Sequence, residues 1–201
     1  MHFDRDSKVL FNYWQELHGF CRGVPMKSSL NPARIKQILP YLYIIERLND
    51  GEIYLRLAGT ALDQLAGFPM TDKNLIRLVG ESDRDFYAEI YRQLCSTPCG
   101  TLLERVLFLD QGDCFETQTL SVPLADTNGD VLFAAGVMAG RRLFTPGGGI
   151  AVVGQSLFKS FQYLDLGYGK PEREPELPTS NDGWPKKKAI TSIAALGLDG
   201  E

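Results

Sequence analysis

Carboxylates are plentiful in this chain, but the residues for histidine-type acid–base, redox or thiol–metal chemistry are few, two histidines and four cysteines. Cys95 and Cys99 stand four apart around Pro98, at the end of a run with helical periodicity. A zinc site needs a second cysteine or histidine pair at usable spacing. Cys21 and Cys114, the other two cysteines, do not provide it. Small buried or half-exposed thiols are therefore the stronger reading, and a Cys95–Cys99 redox pair the weaker. His2 lies at a terminus and His18 on the polar side of the first helical run. Neither suggests a general base or a two-histidine metal site. Asp63, Glu104 and Asp110 neighbour element ends and are the carboxylates to weigh, each reading first as a solvated charge. Arg56 and Arg105 fall in strand-like runs, where an arginine usually points to water but can hold an anionic ligand. The chain has no GxxxxGK[ST], GxGxxG or GxSxG motif. The glycines at 147–149 are followed by Val152 where a third fingerprint glycine would have to stand. No catalytic or metal-ligating residue is assigned, and the expectation is a protein that is not an enzyme.

Those residues must be carried by a fold that the chain is able to bury. Its 201 residues are 44% hydrophobic and 23% charged, which suits one domain, or one domain with a tail, and argues against wholesale disorder. The net charge of −4 and the scattered cations, apart from Lys186, Lys187 and Lys188, give no reason to expect a nucleic-acid partner, since a DNA binder needs a basic face. The start lacks a basic stretch followed by an apolar run, so no signal peptide is expected. No segment approaches the ~20 apolar residues that span a bilayer. Four cysteines without a disulfide-like framework suggest reduced thiols and a cytoplasmic protein.

Periodicity divides the chain. Val9, Leu10, Tyr13, Trp14 and Leu17 form the stripe of an amphipathic helix over 7–20, capped by Asp6 or Ser7. It has two equal readings, as a docking helix for a partner or as a cover for its own domain. Asn31-Pro32 is a helix start. Residues 41–48 and 53–58 flank Asn49-Asp50-Gly51 as the clearest hairpin. Thr60 caps a helix over 61–66 that Gly67 closes, and Leu75, Leu78 and Val79 suggest a further helical piece. Ser82 or Asp83 opens a longer helix with the stripe Phe86, Tyr87, Ile90, Tyr91 and Leu94. Strands follow over 101–110, 114–124 and 131–139, the last apolar on both faces and therefore central in the sheet or covering a ligand cavity. Two strands, then helices, then three strands argue for α+β with an antiparallel sheet. Pro146 to Gly149 is a hinge. Residues 150–166 are apolar enough for one more element, 170–188 read as disorder, and 190–198 as a tail without a visible role or, less favoured, a short helix formed on binding. The division expected is a domain over 6–144 and a Gly/Pro-rich, partly disordered tail over 145–201.

Residues 53–79 resemble the strand–helix–turn–helix centre of a PAS domain, with Leu65-Ala66-Gly67-Phe68 at the helix end and Leu75 to Leu78 as the next helix. Tyr13-Trp14, the segment Pro32 to Pro40 and Arg56-Leu57-Ala58-Gly59-Thr60 resemble more narrowly a bacterial PAS-like family common in alphaproteobacteria. The likeness covers about 8–144. Asp72 departs from it, standing where glycine is expected after the threonine.

The resemblance implies a five-stranded antiparallel sheet with helices on one face, joined to the N-terminal helix, and a cavity between sheet and helices. The cavity lining it implies is Leu55, Leu57, Leu65, Phe68, Phe86, Ile90, Leu107, Leu120, Phe133 and Val137, which would otherwise simply fill a core. No flavin motif around a cysteine and no histidine placed to ligate haem is present, so the cofactor is unknown. The function expected is a stand-alone sensor acting in signalling by binding a small ligand, a partner protein or both. With no output segment of its own, it would signal through Tyr13, Trp14 and Leu17, the outer sheet face or the tail, and pair with itself through the Trp14 helix. The rival readings are a small-molecule carrier or isomerase-like cavity enzyme, which needs a carboxylate inside the cavity, and a ligand-free protein-interaction module.

Overall fold

Helix α1 (Arg5–Gly19) starts where the Asp4 side chain accepts the backbone N–H of Ser7 at 2.7 Å, which satisfies one of the orphan donors of a helix start. The cap thus lies two or three residues before the Asp6 or Ser7 expected from sequence. The computed structural model describes residues 2–109, 114–144 and 153–179. After α1, short 3-10 turns lead into the hairpin of β1 (Leu42–Asn49) and β2 (Glu52–Ala58). Helices α2 (Thr60–Ala66), α3 (Leu75–Leu78) and α4 (Arg84–Ser96) come next. Strands β3 (Gly100–Leu109), β4 (Cys114–Ala125), β5 (Val131–Phe144) and β6 (Val153–Leu164) complete the described elements. Gly67 ends α2 at φ +78°, a left-handed C-cap that only glycine takes without strain. The five residues of the α4 stripe, Phe86, Tyr87, Ile90, Tyr91 and Leu94, are its buried ones.

The strands form one sheet in the order β2-β1-β5-β4-β3-β6, antiparallel at every pairing. The expected α+β architecture is present. β5, apolar on both faces, lies inside the sheet between β1 and β4.

Two features differ from the five-stranded expectation. The sheet has a sixth strand, because residues after the glycine run return to pair with β3, from Gly100↔Leu164 to Leu109↔Val153. The fold therefore continues past Phe144. Helices also cover both faces rather than one. α2, α3 and α4 share a core with Tyr43, Ile45, Leu103, Phe158 and Phe161. On the other face α1 and the 3-10 turns pack Leu10, Trp14, Ile35 and Ile38 against Leu102, Leu120, Val122 and Val137.

Trp14 is 2% exposed and its indole N–H donates to the Pro123 carbonyl at 2.7 Å. Of the two readings of this stripe, as a docking helix or as a cover for its own domain, Leu10, Tyr13 and Trp14 follow the second, packing beside the 3-10 turns on the chain's own sheet. Tyr13 is buried with it, its hydroxyl accepting the Asn31 N–H at 2.7 Å, and Leu17 packs at its margin. Beyond β6, His18 stacks on Trp14 and bonds Tyr168 at 2.9 Å, and Leu177 packs against the α2–α4 core. Asp110, the Pro146–Gly149 hinge, residues 180–188 and the short helix expected over 190–198 lie outside the described residues.

Candidate functional site

A cavity of about 80 Å3 lies between the sheet and helices α2, α3 and α4, room for a few waters or one small organic molecule. Its roof is apolar: Leu62, Leu65 and Ala66 from α2, Met70 from the following loop, Leu75 from α3 and Ile90 from α4. Ile45, Leu55, Leu103, Leu107 and Met138 continue that apolar surface on the sheet.

The polar groups are concentrated on the floor, and strand alternation explains which ones. One row across the sheet pairs Tyr43 (β1) with Gly136 (β5), Gly136 with Ser121 (β4), and Ser121 with Thr101 (β3). The Tyr43 ring lies over Gly136, where an added Cβ would come within 2.1 Å of it. Glycine there lets the ring cross β5, so that the Tyr43 hydroxyl meets Ser121 Oγ at 2.7 Å. Tyr91 on α4 donates from above to the Tyr43 oxygen, with a longer contact of 3.4 Å. Two rows further on, Arg105 (β3) faces Thr117 (β4), and between them Leu103 faces Thr119. Thr101, Leu103, Arg105 and Leu107 alternate with the period of the pleat and all reach the cavity.

Arg105 is only 6% exposed. Its guanidinium donates from Nη1 to the Tyr87 hydroxyl at 2.7 Å and from Nη2 to Met138 Sδ at 3.5 Å. It also stands 5.8 Å from the centre of the Phe158 ring on β6. Burial raises the phenol pKa of Tyr43, of Tyr87 and, furthest, of Tyr91, where neighbouring Tyr43 adds to the rise. All three stay neutral at physiological pH. The floor therefore offers hydroxyls and one permanent cation.

Residues 3–139 match the sequence profile of a family described as "PAS domain". The chain belongs to the PAS domain family. No curated protein matches it. Among solved structures, a light-oxygen-voltage domain studied with a flavin analogue is 16% identical, with TM-score 0.40, over 54% of this chain and 84% of its own. The light-state structure of the blue-light photoreceptor Aureochrome1 LOV is 20% identical, with TM-score 0.38, over 56% and 89%. The Vibrio cholera VqmA–ligand–DNA complex is 14% identical, with TM-score 0.37, over 58% and 53%. Likeness at this level says nothing about what this PAS domain binds.

The structure divides the lining expected from sequence. Leu55, Leu65, Ile90 and Leu107 reach the cavity of this PAS domain. Leu120, Phe133 and Val137 are buried on the opposite face under α1. The apolar side of β4 and its hydroxyl side alternate, and it is the hydroxyl side, with Thr119 and Ser121, that faces the cavity. Leu57 is 38% exposed. The pairing shifts between Ile44↔Leu57 and Ile45↔Leu55, leaving Arg56 unpaired in a bulge, so Leu57 and Leu55 point to opposite faces. Phe86 sits edge-on against Phe158 and Phe161 of β6, beside the cavity rather than in it. Phe68 packs at the margin of the same core.

The polar floor was absent from that expected lining. Arg105 was legible in principle, since it shares its parity with Leu103 and Leu107. Tyr87 and Tyr91 were legible as part of the α4 stripe, whereas Tyr43 was not, because only the tertiary packing lays its ring across Gly136. Among the described residues no carboxylate, histidine or cysteine lines the cavity. Asp63 instead accepts the Met70 backbone N–H at 2.9 Å, and Glu104 accepts from Ser160 and Gln118. Among the described residues no cluster of histidine, cysteine and carboxylate groups is arranged to hold a metal, and no helix is long and apolar enough to cross a membrane. All four cysteines are free thiols. Burial pushes Cys95 up to about 11 and Cys99 up to about 12, which suppresses the thiolate that redox chemistry needs.

Proposed function

We propose that this chain is a sensor module that binds a small molecule in the cavity between its sheet and helices α2, α3 and α4, and passes the bound state on by contact with a partner protein. Membership of the PAS family makes a sensory signalling module the parent reading. The observation that carries the finer one is the cavity itself, apolar above and hydroxyl-rich below with a buried guanidinium at one side. A few convergent polar groups in an otherwise apolar enclosure are the usual make-up of a small-molecule site. A core meant only to be filled has little use for such groups, which are costly to bury.

The helices that roof the cavity are short, so a molecule inside it touches α2, α3 and α4 at once and is able to bias how they pack. Partner contact has exposed apolar side chains to use along the β1–β2 edge of the sheet, at Tyr41, Leu48 and Leu57. The deciding measurement is native mass spectrometry of the chain purified gently from its own host. A retained small molecule is the expected result. A bare chain that also shows no stabilisation by any metabolite in a thermal-shift screen would sink the ligand reading and leave a protein-interaction module.

A further inference from the structure

Among the described residues Arg105 is the one charged side chain that lines the cavity. Among the described residues it makes no ion pair, and its contacts are a phenol, a thioether and an aromatic ring. Its Nε has no hydrogen-bond partner, and neither has Thr119 Oγ1, which lines the same cavity. An arginine cannot shed its charge, and a buried charge without a counter-ion is costly. Two unsatisfied polar atoms on one cavity floor, one of them cationic, are what an anionic ligand would complete.

We propose that the cavity takes a small organic monocarboxylate, its carboxylate held by Arg105 with Thr119 and its hydrocarbon body against Leu55, Leu65 and Ile90. The charge is set by counting. One guanidinium balances one negative charge, and the remaining polar groups are neutral hydroxyls. A phosphate or dicarboxylate would bring a second charge into the enclosure with nothing to balance it, whereas a neutral ligand would leave the guanidinium uncompensated. The body is set by the apolar side chains of α2 and α3 with Met70 and Ile90, which leave the α4 hydroxyls of Tyr87 and Tyr91 to one side. Arginine is suited to the head group because its planar fork matches a carboxylate. The proposal rests on the reading of the cavity as a ligand site.

The test uses the full chain and acids paired with the amides of the same skeleton: acetate, isovalerate, hexanoate and benzoate, with inorganic phosphate alongside. Binding is followed by calorimetry and thermal shift at neutral pH. At least one acid is expected to bind, with its amide weaker by roughly tenfold or more, the loss that goes with a charged hydrogen bond. Arg105→Gln, checked for native circular dichroism, is expected to remove that preference. Should the variant fail to fold, the acid–amide comparison on the unchanged chain decides alone. Amides binding as well as acids, phosphate outcompeting them, or a neutral molecule retained in the native mass spectrum would overturn the carboxylate and leave the cavity as a ligand site. No binding of either series together with a bare chain would overturn both.

Discussion

Gly136 and Asp72 are two backbone positions where one atom decides local structure. A Cβ at Gly136 has no room beneath the Tyr43 ring. Gly136→Ala is therefore expected to expel the ring, break the Tyr43–Ser121 hydrogen bond and cost roughly 1–3 kcal/mol, as overpacking does. Urea denaturation reads the loss, and Gly136→Ala should cost less when made in a Tyr43→Ala background, where the space is already vacant. Asp72 has φ +60°, the only non-glycine residue with positive φ among those described. The glycine expected from the PAS resemblance is explained by this conformation. Asp72 tolerates it better than most residues do, and its carboxylate meets Arg56 Nη1 at 3.3 Å on the surface, a weak contact. Asp72→Val should cost about 1–2 kcal/mol through the crowding of a β-branched residue in the left-handed region. Asp72→Gly should leave stability within about 1 kcal/mol, since relief of strain and added freedom of the unfolded chain oppose each other. Equal losses for both variants would show that the side chain, not the backbone, matters there.

Helix α1 and strand β6 carry the element-scale lesson. α1 read as amphipathic from its spacing, and its stripe proved to be its buried side, yet spacing has no means of saying what the stripe meets. The uncovered face of the chain's own sheet is the nearest apolar surface, so docking there costs no association entropy. Trp14→Ala should lose about 3–5 kcal/mol, the range for emptying a buried aromatic site, and free the Pro123 carbonyl. A loss under 1 kcal/mol in thermal or chemical denaturation would mean that α1 is dispensable to the fold. β6 was left open between helix and strand because Phe158 and Phe161, which pack against Phe86, do not by themselves mark a period. The free edge of β3 decided it by offering unpaired backbone groups.

At the scale of the whole molecule, burial of ionisable groups sets how the fold responds to alkali. Cys95 and Cys99 are raised to about 11 and about 12 by burial, and Tyr43, Tyr87, Tyr91 and Tyr163 are raised too, burial being the leading cause in each. Each group keeps its proton longer when folded than when unfolded. Their stabilising contribution is complete below the unfolded values, about 8.5 for thiols and about 10 for phenols. It is lost as pH climbs through the folded ones. Stability measured in urea should therefore begin to fall above about pH 8.5 and fall more steeply above about pH 10. Replacing Cys95 and Cys99 by alanine should remove the earlier decline and leave the later one. A flat profile up to pH 11 would contradict the burial of these groups.

The sequence by itself determined the element order up to β5, the hairpin at Asn49–Gly51, the α4 stripe and the PAS-like centre, because helix and strand periods, caps and turn residues are local properties. It also carried the parity of β3, on which Arg105 follows Leu103 and Leu107. Which face of β4 meets the cavity was beyond it. Leu120 and Val122 alternate with Thr119 and Ser121, both sides are buried, and only the placement of α1 against one of them assigns the other to the cavity. The bulge at Arg56 that turns Leu57 away, the Tyr43 ring laid across Gly136 and the return of β6 to β3 were likewise settled by tertiary structure. Each joins residues far apart in the chain, and alternation along one strand holds no information about its partner.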